Sequence, residues 1–407
     1  MEKNMYERSK KMEFVHSDIR GPLFTETQRM RKAGIDVLRL NTGNPATFGF
    51  TMPDSVKNAL LANADKAVAY CDPKGMPEAR EAICNYHLSR GILGITPDDI
   101  FIGNGVSELV SMAVTALLND GDEVLVPTPC YSLWSNSIYL TGAKPVYYTC
   151  DEQSEWNPDI NDIKKKITSK TKALLIINPN NPTGAVYPKE VLEEMVKIAR
   201  EHKLIIFSDE IYDRLIMDDV PFTSTASLAP DLLCITMNGL SKSHIICGFR
   251  CGWMVISGAK SEAEDYIGGI FQMAAMRLCS NALTQLVIPA ALADDASTRA
   301  MMVPGGRIYE QREATMREIE KIEGMTCVKN KAAFYVFPKL DVKRFNITDD
   351  RKFAYDLLHE KHILIVAGSG FEWKQPDHFR IVMLPEPEEL AKAVRDIGDF
   401  LSTYRQK

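Results

Sequence analysis

The stretch Ile235-Thr236-Met237-Asn238-Gly239-Leu240-Ser241-Lys242-Ser243-His244-Ile245-Ile246-Cys247-Gly248-Phe249-Arg250-Cys251-Gly252-Trp253-Met254 decides how the chain is read. It opens as an apolar run, closes that run at Asn238-Gly239, and resumes strand-like residues after Arg250. Between the two runs a single lysine, Lys242, sits on a loop, flanked by serines and framed by Gly239 and Gly248. On an ordinary loop such a lysine is solvated. Here it lies between two hydrophobic segments of the kind that fill a buried sheet, so its surroundings are expected to be partly apolar. Desolvation disfavours the ammonium form and makes the free amine available. A free amine is what a Schiff-base enzyme needs.

Around this stretch, strand-like and helical patterns alternate from Ile100 to Thr236. Apolar runs at Ile100–Gly103, Glu123–Pro127, Pro145–Thr149, Ala173–Asn178, Leu204–Ser208 and Leu232–Met237 read as strands, with Cys251–Ile256 a seventh. Helical periodicity falls between them at Val106–Leu118 and Pro188–His202. Such alternation predicts an α/β fold with a largely parallel sheet. The near-continuous apolar strands are those of a sheet covered on both faces. Gly305-Gly306 marks a break, after which helices and shorter strands alternate as a smaller α+β unit. The expected organisation is an N-terminal segment over 1–47 joining the small domain, a large domain over 48–298 and a small C-terminal domain over 299–407.

Composition narrows the function classes. The 407 residues are 45% hydrophobic and 25% charged, which is ordinary for a soluble globular protein. A net charge of −6 without a basic run gives no nucleic-acid surface. Apolar runs such as Ala173–Ile177 are too short to span a bilayer. The charged start, Met1 to Arg8, lacks the apolar core of a signal peptide. Nine scattered cysteines, never spaced as C-x-x-C, argue against a disulfide framework or a zinc site and point to a reduced, cytoplasmic protein. The histidines, His16, His87 and His202 among them, stand in no motif and receive no chemical role.

Several loops leave the carboxyl ends of predicted strands, where open α/β sheets collect ligands. Asn178-Pro179-Asn180-Asn181-Pro182-Thr183-Gly184 is built wholly of turn formers. Asp209-Glu210-Ile211-Tyr212 ends another strand with an acid pair; without nearby histidines a metal would find few ligands there. Gly103-Asn104-Gly105-Val106-Ser107 joins a strand to a helix whose first N–H groups suit an anion.

These stretches, with the S-K-x-x-x-x-x-G-x-R spacing from Ser241 to Arg250, resemble the class I/II aminotransferases. Asp18-Ile19-Arg20-Gly21-Pro22, Leu40-Asn41-Thr42-Gly43-Asn44-Pro45 and Pro304-Gly305-Gly306-Arg307 are most similar to the bacterial alanine (glutamate–pyruvate) subgroup. The resemblance spans nearly the whole chain. It implies fold type I and pyridoxal phosphate, held by Lys242, which then carries the proton between the substrate's Cα and the cofactor. By the same resemblance Asp209 pairs with the cofactor's ring nitrogen. Asn181 and Tyr212 bond its phenolic oxygen, and Tyr131 stacks on its ring. Val106, Ser107, Ser241 and Arg250 hold its phosphate. Arg380, in Phe379-Arg380-Ile381, clamps the substrate's α-carboxylate beside Asn181 and the Gly43 backbone. A homodimer is implied in which Tyr70, of Tyr70-x-x-x-x-Gly75, reaches the partner's phosphate. The chain departs from the family at Gly239, where a serine is frequent, and at His244 and Ile245.

The implied reaction is alanine plus 2-oxoglutarate to pyruvate plus glutamate. Aromatic or aspartate specificity, or a β-eliminating lyase on the same fold, are the alternatives within enzymes. A non-enzymatic effector-sensing domain would need an attached DNA-binding module. Arg20, in a polar, turn-forming and loosely anchored N-terminal segment, is the candidate reader of the substrate's side-chain carboxylate.

Overall fold

Alternation of side chains along a strand explains how the large sheet is covered. In Glu123–Thr128, Leu125 joins one buried cluster while Val124 and Val126 join the other; Leu174 and Ile176 likewise oppose Ala173, Leu175 and Ile177. Both faces are therefore apolar, and helices cover both. The computed structural model describes residues 6–407, so the first five residues of the expected segment 1–47 lie outside it.

Eight strands build the sheet: β1 (Ile100–Gly103), β2 (Glu123–Thr128), β3 (Lys144–Asp151), β4 (Asn157–Pro158), β5 (Thr171–Ile177), β6 (Ile205–Asp209), β7 (Cys234–Gly239) and β8 (Gly252–Ser257). Their spatial order is β1-β8-β7-β6-β5-β2-β3-β4. Strands β3, β2, β5, β6 and β7 run parallel to one another, while β4 is antiparallel to β3 and β8 is antiparallel to both β7 and β1. Reversing twice makes β1 parallel to the rest. The loops after β1, β2, β5, β6 and β7 thus gather along one edge, and so does the segment that enters β8. Lys242, Asp209, Asn181, Tyr131 and Val106 arrive there from strand ends, and Arg250 arrives two residues before β8 begins.

A second body is made from both ends of the chain. Leu38–Arg39 pairs in parallel with Ile363–Leu364, and Leu40 packs in the same apolar cluster as Phe353, Phe379 and Val394. Helices Arg307–Ile319, Asp350–Lys361 and Pro387–Thr403 surround short strands at Tyr335–Val336, Val366–Ala367 and Phe379–Val382. The apolar run Ala332–Phe337 yields a strand of only two residues, because Ala333 has a left-handed backbone (φ 61°) that breaks the extended run. Two helices, Leu133–Thr141 and Ile160–Lys166, had no clear signal in the sequence. Among the described residues, no helix is long and apolar enough to cross a membrane.

Candidate active site

Lys242 lies on a four-residue helix, Leu240–Ser243, rather than on an open loop. Extended β7 ends at Gly239, and Leu240 N–H bonds to the Cys251 carbonyl at 3.2 Å, which turns the chain at once. Space around the turn is set by glycines. A Cβ on Gly239 would meet Cys251 O at 2.6 Å and Gly252 Cα at 2.9 Å. One on Gly252 would meet Val106 N at 2.6 Å, and one on Gly105 would strike the Arg250 guanidinium. The missing serine at position 239 thus has a physical reason: there is no room for a side chain between β7 and β8. The three glycines bring the end of β7, the start of β8 and the first turn of helix Val106–Leu117 into backbone contact.

That close packing shapes an anion cradle. Gly105, the N-cap, has φ 83° and offers no side-chain acceptor, so the first N–H groups of the helix are left for a ligand. Arg250 also sits in the left-handed region (φ 54°), with Nη1 donating to the Cys247 carbonyl at 2.9 Å. No carboxylate pairs with it among the described residues. Ile245, at φ 63°, is a further left-handed residue on this loop, uncommon for a β-branched side chain. His244 turns inward instead: its Nε2 faces the Ala291 carbonyl at 2.6 Å and its Nδ1 faces Ser243 Oγ at 2.8 Å. Burial, with Arg214 nearby, pushes the imidazole down to about 4, so it is a neutral strut under the lysine turn.

A cavity of about 330 Å³ opens at this edge. Val106, Ser107, Tyr131, Asn181, Asp209, Tyr212, Ser241, Lys242, Arg250, Gly43, Arg380 and Arg20 all line it; Tyr70 does not, and stands 79% exposed elsewhere. Strand alternation divides the acid pair. Asp209 faces the cavity, whereas Glu210 turns to the opposite side, where its Oε1 accepts from Ser208 Oγ, Ser224 Oγ and Thr225 N. Burial raises the Glu210 carboxyl to about 8. Asp209 accepts from Trp134 Nε1 at 2.9 Å, with Ile211 N–H at 3.4 Å. Burial still pushes its carboxyl above the usual range, against those hydrogen bonds and the Lys242 charge. A buried carboxylate so poorly compensated fits a cationic ligand atom.

Across the cavity Arg380 is 1% exposed. Its Nη1 donates to Asn181 Oδ1 at 2.9 Å and its Nη2 to the Asn41 carbonyl. Tyr335 and Phe371 lie 4.4 and 4.6 Å from its guanidinium carbon. Its Nε has no partner, and burial lowers its proton affinity. Every polar partner it has is neutral, so the site asks for an anion. Lys242 Nζ donates to the Gly43 carbonyl at 3.3 Å. Gly43 must be glycine, since a Cβ would lie 2.3 Å from Tyr335 Oη. Tyr212 Oη contacts Tyr335 Oη at 3.0 Å.

Trp134 and Tyr335 are site residues that the sequence did not disclose. Trp134 heads a helix without a strong pattern, and Tyr335 lies in an apolar run that reads as core. The N-terminal segment is also better anchored than expected. Ile19 O accepts from Asn41 Nδ2 at 2.7 Å, Asp18 pairs with Arg351 at 3.1 Å, and His16 pairs with Glu372 at 3.0 Å. The freedom at Arg20 is in its exposed side chain, not in the backbone.

The family model described as "Aminotransferase class I and II" matches residues 35–397. The chain belongs to this family. Members use pyridoxal phosphate, and the cradle, the under-compensated Asp209 and the Lys242 side chain in the same cavity fit that group. This aminotransferase is 52% identical over 402 residues to a glutamate-pyruvate aminotransferase, AlaA, of Haemophilus influenzae, covering 99% of this chain and all of the other. It is 45% identical to an alanine aminotransferase of Mycobacterium tuberculosis, over 98% of this chain and 94% of that one. The crystal structure of an aminotransferase from Escherichia coli superposes with a TM-score of 0.97 at 50% identity, covering 99% and 100% of the two chains.

Gly252→Ala tests the glycine packing. The added methyl meets the Gly105–Val106 backbone and cannot be accommodated by a side-chain rotation. The variant should fold but bind pyridoxal phosphate about tenfold or more weakly, as read by fluorescence titration of the apoprotein; an affinity within about twofold of wild type would show that the spacing is not needed.

Proposed function

We propose that this aminotransferase exchanges the amino group between alanine and 2-oxoglutarate, yielding pyruvate and glutamate. The observation that carries the reading is Arg380: a buried guanidinium with only neutral partners, in the same cavity as Lys242. Leaving such a charge unpaired is costly, and a substrate carboxylate relieves it bidentately. When bound, pyridoxal phosphate supplies an aldehyde and a ring that draws electrons from the substrate's Cα. Val106, Ser107, Ser241 and Arg250 would hold its phosphate, Asp209 its ring nitrogen, and Asn181 and Tyr212 its phenolic oxygen. Tyr131 would pack on the ring face. Asn181 has its Oδ1 occupied by Arg380, which leaves its amide N–H groups to donate into the cavity. The Lys242 amine would hold the cofactor, and would then take the proton from the substrate's Cα and return it two bonds away, to the cofactor carbon beyond the transferred nitrogen; such a positioned base contributes about 10²- to 10⁴-fold. Gly43 lies against Tyr335 and brings backbone to the carboxylate side.

Alanine and glutamate differ by a whole carboxylate. A fixed cation facing that position would be stranded when alanine binds, whereas exposed Arg20 at the cavity mouth can swing away. The relatives named above support the alanine–glutamate pair. A cytoplasmic setting, and a division at residues 48–298 and 299–407 with 1–47 joining the smaller body, belong to the same reading; the pairing of Leu38–Arg39 with Ile363–Leu364 supports the latter.

We place Tyr70 in the neighbouring site of a homodimer. Its exposure, with Val68 (89%) beside it, supports a covered surface there.

Half-reaction spectra with a panel of amino acids test the reaction: alanine and glutamate should both convert the cofactor to its amine form, and failure of alanine would contradict it. Arg20→Ala should lower kcat/KM for glutamate and 2-oxoglutarate about tenfold or more, at roughly 1.4 kcal/mol per decade, while alanine and pyruvate change much less. Equal loss for both pairs, or none, would remove Arg20 from substrate reading. Mixing inactive Tyr70→Phe and Lys242→Ala protomers should restore activity; an active monomer in light scattering would refute shared sites.

A further inference from the structure

Two residues before Arg380, a histidine stands at the junction of the two bodies. The His378 side chain is fully buried. Its Nδ1 lies 2.7 Å from Asp377 Oδ1, which also accepts from Trp373 Nε1 at 2.9 Å. Its Nε2 faces Glu152 Oε1 at 3.5 Å, long for a hydrogen bond but close enough for opposite charges to attract. Glu152 belongs to the turn after β3, in the large body. Lys339 Nζ binds the other Glu152 oxygen at 2.6 Å and lies 3.9 Å from Asp377 Oδ2. His378, Asp377, Glu152 and Lys339 are the ionisable groups that face one another here. Burial alone would strip the imidazole of its proton, but the two carboxylates outweigh it and raise the group above its ordinary value.

The ring is also packed on three sides. Trp156 of the large body lies 5.2 Å away, Trp373 5.3 Å away, and Phe337 stacks at 4.9 Å. Phe337 in turn packs on Phe371 at 6.1 Å, and Phe371 lies 4.6 Å from the Arg380 guanidinium carbon. A continuous line of rings therefore runs from His378 to the group read as the carboxylate clamp. The backbone carries the same connection: Gly368 N donates to His378 O at 2.8 Å, and Cys130 N, next to Tyr131, donates to Phe371 O at 2.9 Å.

We infer that His378 is a positioning residue: bridging Asp377 and Glu152 across the junction, it fixes the segment that carries Arg380 and so sets how tightly the substrate carboxylate is held. The inference rests on the reading of Arg380 given above. Because the folded-state imidazole is raised above about 6.5, the bridge is complete below that pH. It is lost as pH rises through the folded-state value. Carboxylate affinity should weaken over that rise.

The test uses the holoenzyme and propionate, a carboxylate without an amine whose own titration would intrude, with Kd measured by calorimetry from pH 6 to 9. His378→Gln and Glu152→Gln should each raise the propionate Kd, and KM for alanine and glutamate alike, by about 2- to 30-fold, the span expected for coupling through packed neighbours. Values of kcat should stay within about twofold, and the rise of Kd with pH should vanish in His378→Gln. Should that variant fail to fold, the near-isosteric Glu152→Gln decides. Arg380→Lys is the reference. If it weakens propionate while the other two folded variants bind normally, or lose kcat with Kd unchanged, the role of His378 is overturned. If Arg380→Lys itself binds propionate normally, the reading of Arg380 fails, and the inference with it.

Discussion

Two buried charges of opposite sign, Asp209 and Arg380, line one cavity, and neither forms an ion pair among the described residues. Burying an ion without a partner costs several kcal/mol. The chain must therefore hold both against a standing penalty, and it does so by tying each to rigid structure. Asp209 ends β6, in the middle of the eight-stranded sheet, and Trp134 fixes its carboxylate. Arg380 lies in a strand of the smaller body and is held by Asn181 from the other body and Asn41 from the N-terminal segment. In the proposed reading, the cofactor and the substrate would supply the opposite charges.

The parallel sheet makes this possible. Its strand ends deliver the lysine turn, the acid, the asparagine loop and the aromatic to one edge, and reversed β8 delivers Arg250 to the same edge. The glycines at 105, 239 and 252 then remove the side chains that would keep those backbones apart. That closeness of backbones sets where the Lys242 turn stands.

Legibility in the sequence followed the range of the interactions. Seven of the eight strands of the large sheet were readable to within about two residues at each end, because burial on both faces leaves uninterrupted apolar runs; the two-residue edge strand Asn157–Pro158 was not. Asn181, Asp209 and Lys242 could be singled out because the motifs that carry the family resemblance are local stretches, and the structure brings all three to one cavity. What was not legible is long-range. Trp134 meets Asp209 from 75 positions away, and Tyr335 meets Tyr212 from 123. His378 looked unremarkable because its partner Glu152 is brought to it only by the fold. Tyr70 carries a local motif, yet it stands exposed and apart from the cavity within its own chain. The lysine loop became a short helix because Leu240 bonds back to Cys251, a contact that only the β7–β8 pairing creates.

The balance between the Asp209 charge and its ligand is most directly measured in Asp209→Asn, by comparing melting temperatures of the apo and cofactor-loaded protein together with kcat. Removing the unpaired carboxylate should leave the apoprotein as stable as wild type or more so, reduce the stabilisation gained on adding pyridoxal phosphate, and lower kcat by about a hundredfold or more, in line with the loss of a buried electrostatic partner. An apoprotein that melts well below wild type, with near-normal kcat once loaded, would show that Asp209 is only structural.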